Sequence, residues 1–353
     1  MTTMHLHQAG RWLLHSGIQS PSGGVARYYL GQDERYLPVS TEITGYAAST
    51  YVWLYERTGD HAYREAAVRT ARFLAGEAWD DAQQTFPFET APGSPAYFFD
   101  CGIIVRGLLA VSRIEPDAEL MRVATACAHG MARDFLDGAT IHPIVELPGK
   151  APRTHEKRWS REPGCFLLKA AMPWRQLSDD AILAEHWHTA LRASIANHEA
   201  FLPGELVEEK VMDRLHAYCY FLEALLAEPH DAEAAAALRR GIARVGGYLR
   251  AIRARFLRSD VCAQLLRVRL YADWLGVEPL DERAAEHEAD LARSFSLASE
   301  DVRLDGAFSF GARSGGILPI ANPVSTGFCA QALDMWRAHR NGTPLQPVLD
   351  ALI

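Results

Sequence analysis

The sequence predicts an all-α fold, a closed (α/α)6 barrel, or toroid, of six helical hairpins, and three observations predict it. About twelve segments carry helical periodicity, while almost none alternates with the period of a strand. Alternate segments differ in composition, and short turns alternate with long loops in register with them.

The helical spans are 5–17, 41–58, 60–77, 99–114, 116–137, 162–176, 179–200, 209–228, 230–253, 259–276, 279–296 and 325–340. Even-numbered segments are rich in Gly, Ala, Cys and aromatics. Odd-numbered ones from the third onward carry a charged stripe, as in HAYREAAVRTAR at 61–72. The even helices are therefore expected to be buried on most sides and the odd ones half solvated. Short junctions follow the even helices: ERTGD at 56–60, IEPD at 114–117, LSDD at 177–180, EPHD at 228–231 and GVEP at 276–279. Each pairs a helix stop with an Asp, Ser or Pro that starts the next helix. The reverse connections, 18–40, 78–98, 138–161, 201–208 and 297–324, are long and rich in Gly, Pro and aromatics. A ring built this way gathers the long loops on one face, over the starts of the inner helices, and long loops in a compact domain are usually functional.

A length of 353 residues is more than one simple core usually supports, and a closed repeat explains it as a single domain over 1–353. The formal charge of −8 argues against nucleic acid as the main partner. No run of apolar residues is long enough to span a membrane, and the first twenty residues lack the layout of a secretion signal, so a cytoplasmic protein is expected. Six cysteines form no CxxC pair. Five of them, Cys101, Cys165, Cys219, Cys262 and Cys329, sit in apolar helical stretches, where buried free thiols are expected and no metal is. No motif for a bound cofactor is present: the Gly23-Gly24 and Gly315-Gly316 pairs follow no strand and read as turns.

Three motifs carry a family resemblance: VSTEITGY at 39–46 running on to YERTGD at 55–60, FDCGIIVRGLLA at 99–110, and NPVSTGF at 322–328. With them the whole chain resembles the six-hairpin glycosidase superfamily, most closely bacterial members associated with polysaccharide metabolism. The superfamily includes unsaturated-uronyl hydrolases, polysaccharide lyases and sugar epimerases. The resemblance implies a carbohydrate substrate and leaves the reaction open.

Five inner helices are expected to begin at or beside an acid, Glu42, Asp100, Glu162, Asp213 and Asp260, and the sixth at Ser325 and Thr326. A carboxylate there can simply cap its helix. Ring closure would also cluster the acids, and clustered carboxylates raise one another's pKa until one is a proton donor beside an ionised partner. Cleavage of a glycosidic bond needs that division of labour. Asp100 is the first candidate for proton transfer: it follows three aromatics and opens the second inner helix, where the resembling uronyl hydrolases also place a functional acid. Glu42 is the second, with Tyr46 one turn on, and Asp213 and Glu162 follow.

Sugar-stacking candidates among the loop aromatics are Tyr28, Tyr29, Tyr36, Phe86, Phe88, Tyr97, Trp159 and Phe308, half of which are expected to be loop core. The stretch THEKRWSR at 154–161 sets His155, Lys157, Arg158 and Arg161 beside Trp159 and could hold the carboxylate of an acidic sugar. Arg27 and Arg313 are further basic candidates. Arg267, about two turns inside an inner helix, would need a partner or an anionic ligand if buried. His216, one turn after Asp213, could form a base and orienter with it. Hydrolysis or uronate elimination leads; an epimerase using His216 or His155, or a sugar-binding protein without chemistry, is the alternative.

Overall fold

The computed structural model describes residues 2–91, 93–156, 158–202, 208–252, 256–314 and 316–353. Its helices are α1 (Thr2–His15), α2 (Thr41–Thr58), α3 (His61–Phe73), α4 (Phe98–Ile114), α5 (Ala118–Phe135), α6 (Leu167–Gln176), α7 (Ala181–Phe201), α8 (Glu208–Leu225), α9 (Ala232–Ile252), α10 (Ser259–Trp274), α11 (Glu282–Ser294), α12 (Pro323–Arg340) and the short α13 (Val348–Ala351). Ten strands of two or three residues decorate the loops: β1 (Tyr29–Leu30), β2 (Arg35–Tyr36), β3 (Ala96–Tyr97), β4 (Leu136–Asp137), β5 (Thr140–Ile141), β6 (Ile144–Val145), β7 (Phe256–Arg258), β8 (Gly311–Arg313), β9 (Gly316–Ile317) and β10 (Ile320–Ala321). Strands this short carry too few residues to show alternation, which is why the sequence did not announce them.

Contacts divide the chain into two compact units. One comprises Gln19–Arg27 and Pro38–His198; the other comprises Met1–Ile18, Tyr28–Leu37 and Glu199–Ile353. In the first unit α2, α4 and α6 lie side by side, with α3 on α2 and α5 on α4. Glycine sets the closeness of the first two. A Cβ on Gly45 would lie 2.9 Å from the Ile104 Cα, and one on Gly107 would lie 2.6 Å from the Gly45 carbonyl oxygen. Because position 45 meets 104 and position 107 meets 45 and Ala48, the two helices run parallel in register. Gly102 similarly abuts the Ala170 backbone of α6.

In the second unit α8, α10 and α12 form the inner layer, flanked by α9 and α11, and α1 packs on α12. The inner helices α2, α4, α10 and α12 are buried along most of their length, whereas α11 buries only Ala285, Glu288, Ala289 and Ala292. The tight junctions read from the sequence are present: α2 ends at Gly59, whose φ of +72° suits glycine, and Asp60 then caps α3 by accepting the Ala62 N–H. All six cysteines are buried free thiols. Among the described residues no helix is long and apolar enough to cross a membrane.

One helix start differs from expectation. The segment 162–176 becomes helical only at Leu167, so Glu162 does not open α6. Pro163 follows Glu162 and restricts it to extended backbone, with φ −117° and ψ 147°.

Candidate active site

Glu42 and Asp100 do not cap their helices, and α4 has no side-chain cap at all. Ser40 caps α2 by accepting the Ile43 N–H, and Asn322 caps α12 by accepting from Val324 and Ser325. That leaves Glu42 and Asp100 for other work. The parallel register of α2 and α4, carried back three or four residues from Gly45 and Ile104, sets Glu42 level with Cys101 and Asp100.

Asp100 is 5% exposed, and its Oδ2 has no hydrogen-bond partner among the described residues. Burial first, then the charge of Glu42, push its carboxyl well above the usual carboxylate range, and the charge of Arg27 opposes them. Glu42 keeps partial exposure. Desolvation pushes its carboxyl up to about 7, again against Arg27. Two acids in electrostatic contact, both pushed above the usual carboxylate range, have the electrostatics from which a proton donor beside a proton acceptor can be made.

Arg27 is held beside this pair by the backbone. Its N–H donates to the Pro38 carbonyl, Ser40 N–H donates to Val25, and the Val25 N–H donates to the Thr44 hydroxyl on α2. The Arg27 guanidinium lies 5.0 Å from the centre of the Phe88 ring, and Phe88 stacks on Tyr97 at 4.9 Å. Tyr97 lies on β3, which pairs with β6 through Tyr97 and Ile144. Burial raises its hydroxyl pKa, and the charges of Arg161 and Asp100 both reach it. Arg27, Glu42, Tyr97 and Asp100 therefore come together.

The 154–161 stretch reaches the same neighbourhood from its own loop. Trp159 packs edge-on to Phe166 at 5.3 Å, and Phe166 touches Phe99. Arg161 donates to both oxygens of Glu156 at 2.7 Å. His155 is exposed, its Nε2 3.4 Å from the His142 Nδ1. Lys157 lies outside the described residues. Glu162 is partly exposed, and Tyr46, 2% exposed, belongs to the α2 core.

The second unit holds a separate polar cluster built on an arginine that the sequence reading passed over. Arg258, last residue of β7, donates through Nε and a terminal nitrogen to Asp260 at 3.0 and 2.7 Å, and through its other terminal nitrogen to Asp213 at 2.7 Å. It also lies 4.8 Å from the centre of Phe310. Burial alone would lower the Arg258 pKa, but the two carboxylates raise it; burial alone would raise Asp260, but Arg258 and His216 hold it below the carboxylate range. The pairing of Asp213 with His216 is thus corrected. Asp213 binds Arg258, while His216 Nδ1 lies 2.8 Å from Gln264 Oε1 and 3.5 Å from Asp260. Since both neighbours accept, Nδ1 carries the hydrogen and Nε2 the lone pair. Burial and the Arg258 charge lower His216 to about 4, so it is neutral at pH 7. Asp213, second turn of α8 rather than its start, is the open member, its side chain 45% exposed.

Arg267 is fully buried and its need is met within the fold. It pairs with Glu223, donates to Gln331 at 2.9 Å and lies 3.9 Å from the centre of Phe328. Arg313 is exposed on β8, over the ring of Phe256. Of the loop aromatics, Tyr29, Phe86 and Phe308 are core, while Tyr28, Tyr36, Phe88, Tyr97 and Trp159 keep exposure. Among the described residues no group of three or more His, Cys, Asp and Glu could hold a metal ion.

No protein-family model and no curated protein matches the sequence. Solved structures do. Cellobiose 2-epimerase from Spirochaeta thermophila aligns over 96% of this chain and 98% of its own at 13% identity, with a TM-score of 0.69. The unsaturated glucuronyl hydrolase of Bacillus sp. GL1 aligns over 97% and 98% at 15% identity and 0.66. The α-mannanase BT2949 of Bacteroides thetaiotaomicron aligns over 97% and 97% at 10% identity and 0.65. The chain has the six-hairpin (α/α)6 toroid fold. The resemblance read from the three motifs is borne out at the level of fold, across proteins whose reactions differ.

Proposed function

We propose that the protein is a carbohydrate-active enzyme that hydrolyses a glycosidic bond of an oligo- or polysaccharide, with Asp100 and Glu42 as its acid and base. The observation that carries the reading is the electrostatic contact between a buried Asp100, its carboxyl pushed well above the usual carboxylate range, and Glu42, pushed up to about 7. Asp100 gives its proton to the leaving oxygen as the bond from that oxygen to the anomeric carbon breaks. The ionised Glu42 takes a proton from the water whose oxygen bonds to that carbon, or attacks the carbon itself. After water has added, proton transfer through solvent returns the pair to its starting state; after attack by Glu42, the ionised Asp100 takes a proton from a water whose oxygen displaces Glu42 from the anomeric carbon, which frees Glu42 and reprotonates Asp100. Arg27, Arg161 and His155 are the groups for a substrate carboxylate, and Tyr97 and Trp159 for the apolar face of a sugar ring. On a uronate the same pair could instead drive elimination, which absorbance of the unsaturated product near the ultraviolet edge would reveal.

The test is Asp100→Asn. Loss of one acid–base group removes about 10²- to 10⁴-fold in turnover, with the melting transition retained. Turnover unchanged in that variant removes the assignment.

A second reading, epimerisation or isomerisation of a free sugar, is favoured by His216, whose neutral ring offers Nε2 as a proton acceptor. It predicts exchange of solvent deuterium into a sugar without cleavage, lost in His216→Gln.

A further inference from the structure

A groove of about 420 Å³ opens between α9 and α11. Its apolar floor is Gly246, Leu249 and Leu291, and Arg250, Arg283 and His287 line it. The volume falls within the ordinary range of small-molecule sites.

The arginines of this groove are only partly neutralised: the charge of Arg250 reaches Glu288, which already pairs with Arg269. Arg250 and Arg283 form no salt bridge among the described residues, unlike Arg240, Arg258, Arg267, Arg269 and Arg293 of the same unit. Arg269 reaches in from α10, its side chain only 11% exposed, and spends one nitrogen, Nε, on both oxygens of Glu288 at 2.9 and 3.0 Å. Its terminal nitrogens have no partner among the described residues, and one of them would lie 2.9 Å from a Cβ on Gly246. The guanidinium therefore stands behind the Gly246 wall of the groove. Glu288 answers Arg269, and Asp281 is engaged as the cap of α11, accepting the Ala284 N–H at 3.0 Å. The remaining arginine charge faces solvent over an apolar floor, an arrangement that suits planar, bidentate capture of an oxyanion.

We propose that the groove between α9 and α11 binds a small organic anion, its phosphate or carboxylate head on Arg250 and Arg283, with the charge of Arg269 behind the Gly246 wall, and its compact apolar body on Leu249 and Leu291. The site is separate from the carboxylate pair and does not depend on the reaction assigned to it.

Calorimetric titration of the full chain with phenyl phosphate and with benzoate tests this. At least one probe binds saturably at submillimolar concentration, and the tighter of the two identifies the head group. Arg250→Gln and Arg283→Gln each weaken it about tenfold, the loss of one charge-assisted contact, and the double variant abolishes it with an unchanged melting transition. Arg240→Gln, on the same helix but paired with Glu199, and Asp100→Asn leave binding as it was. Absence of saturable binding of either probe at millimolar concentration overturns the proposal, as does binding that survives in the double variant or disappears in Asp100→Asn.

Discussion

Replacing Glu42 by Gln tests the electrostatics of the carboxylate pair without any substrate. In the folded chain Glu42 holds its proton up to about 7, whereas in the unfolded chain it releases it near the ordinary value of 4.5. Between those values the folded chain binds more protons than the unfolded one, so stability falls as pH rises through that window and the whole penalty stands above it. At about 1.4 kcal/mol for each tenfold change in proton affinity, the penalty is at most about 3.5 kcal/mol, and the partial exposure of Glu42 brings the expected value to about 1 to 3 kcal/mol. Gln carries no charge at any of these pH values. It also removes the charge that helps raise Asp100, which acts in the same direction. Glu42→Gln should therefore melt close to wild type at about pH 5 and a few degrees higher at about pH 8. Thermal unfolding of both proteins across that range is the assay. Identical pH dependence in the two would refute the electrostatic assignment of Glu42.

Arg27→Gln removes the positive charge that opposes the rise of both acids, so the acid limb of the pH–rate profile should move above 7; a limb that stays or moves down contradicts the role of Arg27. Arg258→Met leaves Asp260, 2% exposed, without its bidentate partner, and should cost about 3 to 5 kcal/mol in denaturant unfolding. The same variant should raise the His216 pKa from about 4, as followed by its ring proton resonances. Gly107→Ala places a Cβ 2.6 Å from the Gly45 carbonyl oxygen and should cost about 1 to 3 kcal/mol while lowering turnover, because it wedges α2 from α4 above the acid pair.

Much of the fold was legible because hairpin repetition writes itself into composition. The charged stripe of 61–72 and the Gly-, Ala- and Cys-rich run at 99–110 each report the two faces of one helix, and their alternation reports the layers. Glu42 and Asp100 were legible because both stand at the starts of inner helices; what brings those starts level is a close approach, with Gly45, three residues beyond Glu42, meeting Ile104, four beyond Asp100. The start of α6 was misread because periodicity runs on through Pro163, while proline's restraint on Glu162 acts locally. Arg258 was missed because its signal is a three-residue strand ahead of a helix, too short for any pattern, and its partner Asp213 stands 45 residues away. The fate of Arg267 was framed correctly as a buried cation needing a partner, but which acid met it, Glu223, depended on the packing of α8 against α10. Sequence periodicity reports the face of an element; it does not say which neighbour that face meets.

Incubation of the protein with a panel of oligosaccharides in water enriched in oxygen-18 is the most direct test of the acid and base roles given to Asp100 and Glu42. Cleavage is expected to leave one heavy oxygen at the newly formed anomeric hydroxyl, and Asp100→Asn to lose that label. Solvent deuterium entering an uncleaved sugar, or labelled product formed equally by Asp100→Asn, would contradict it.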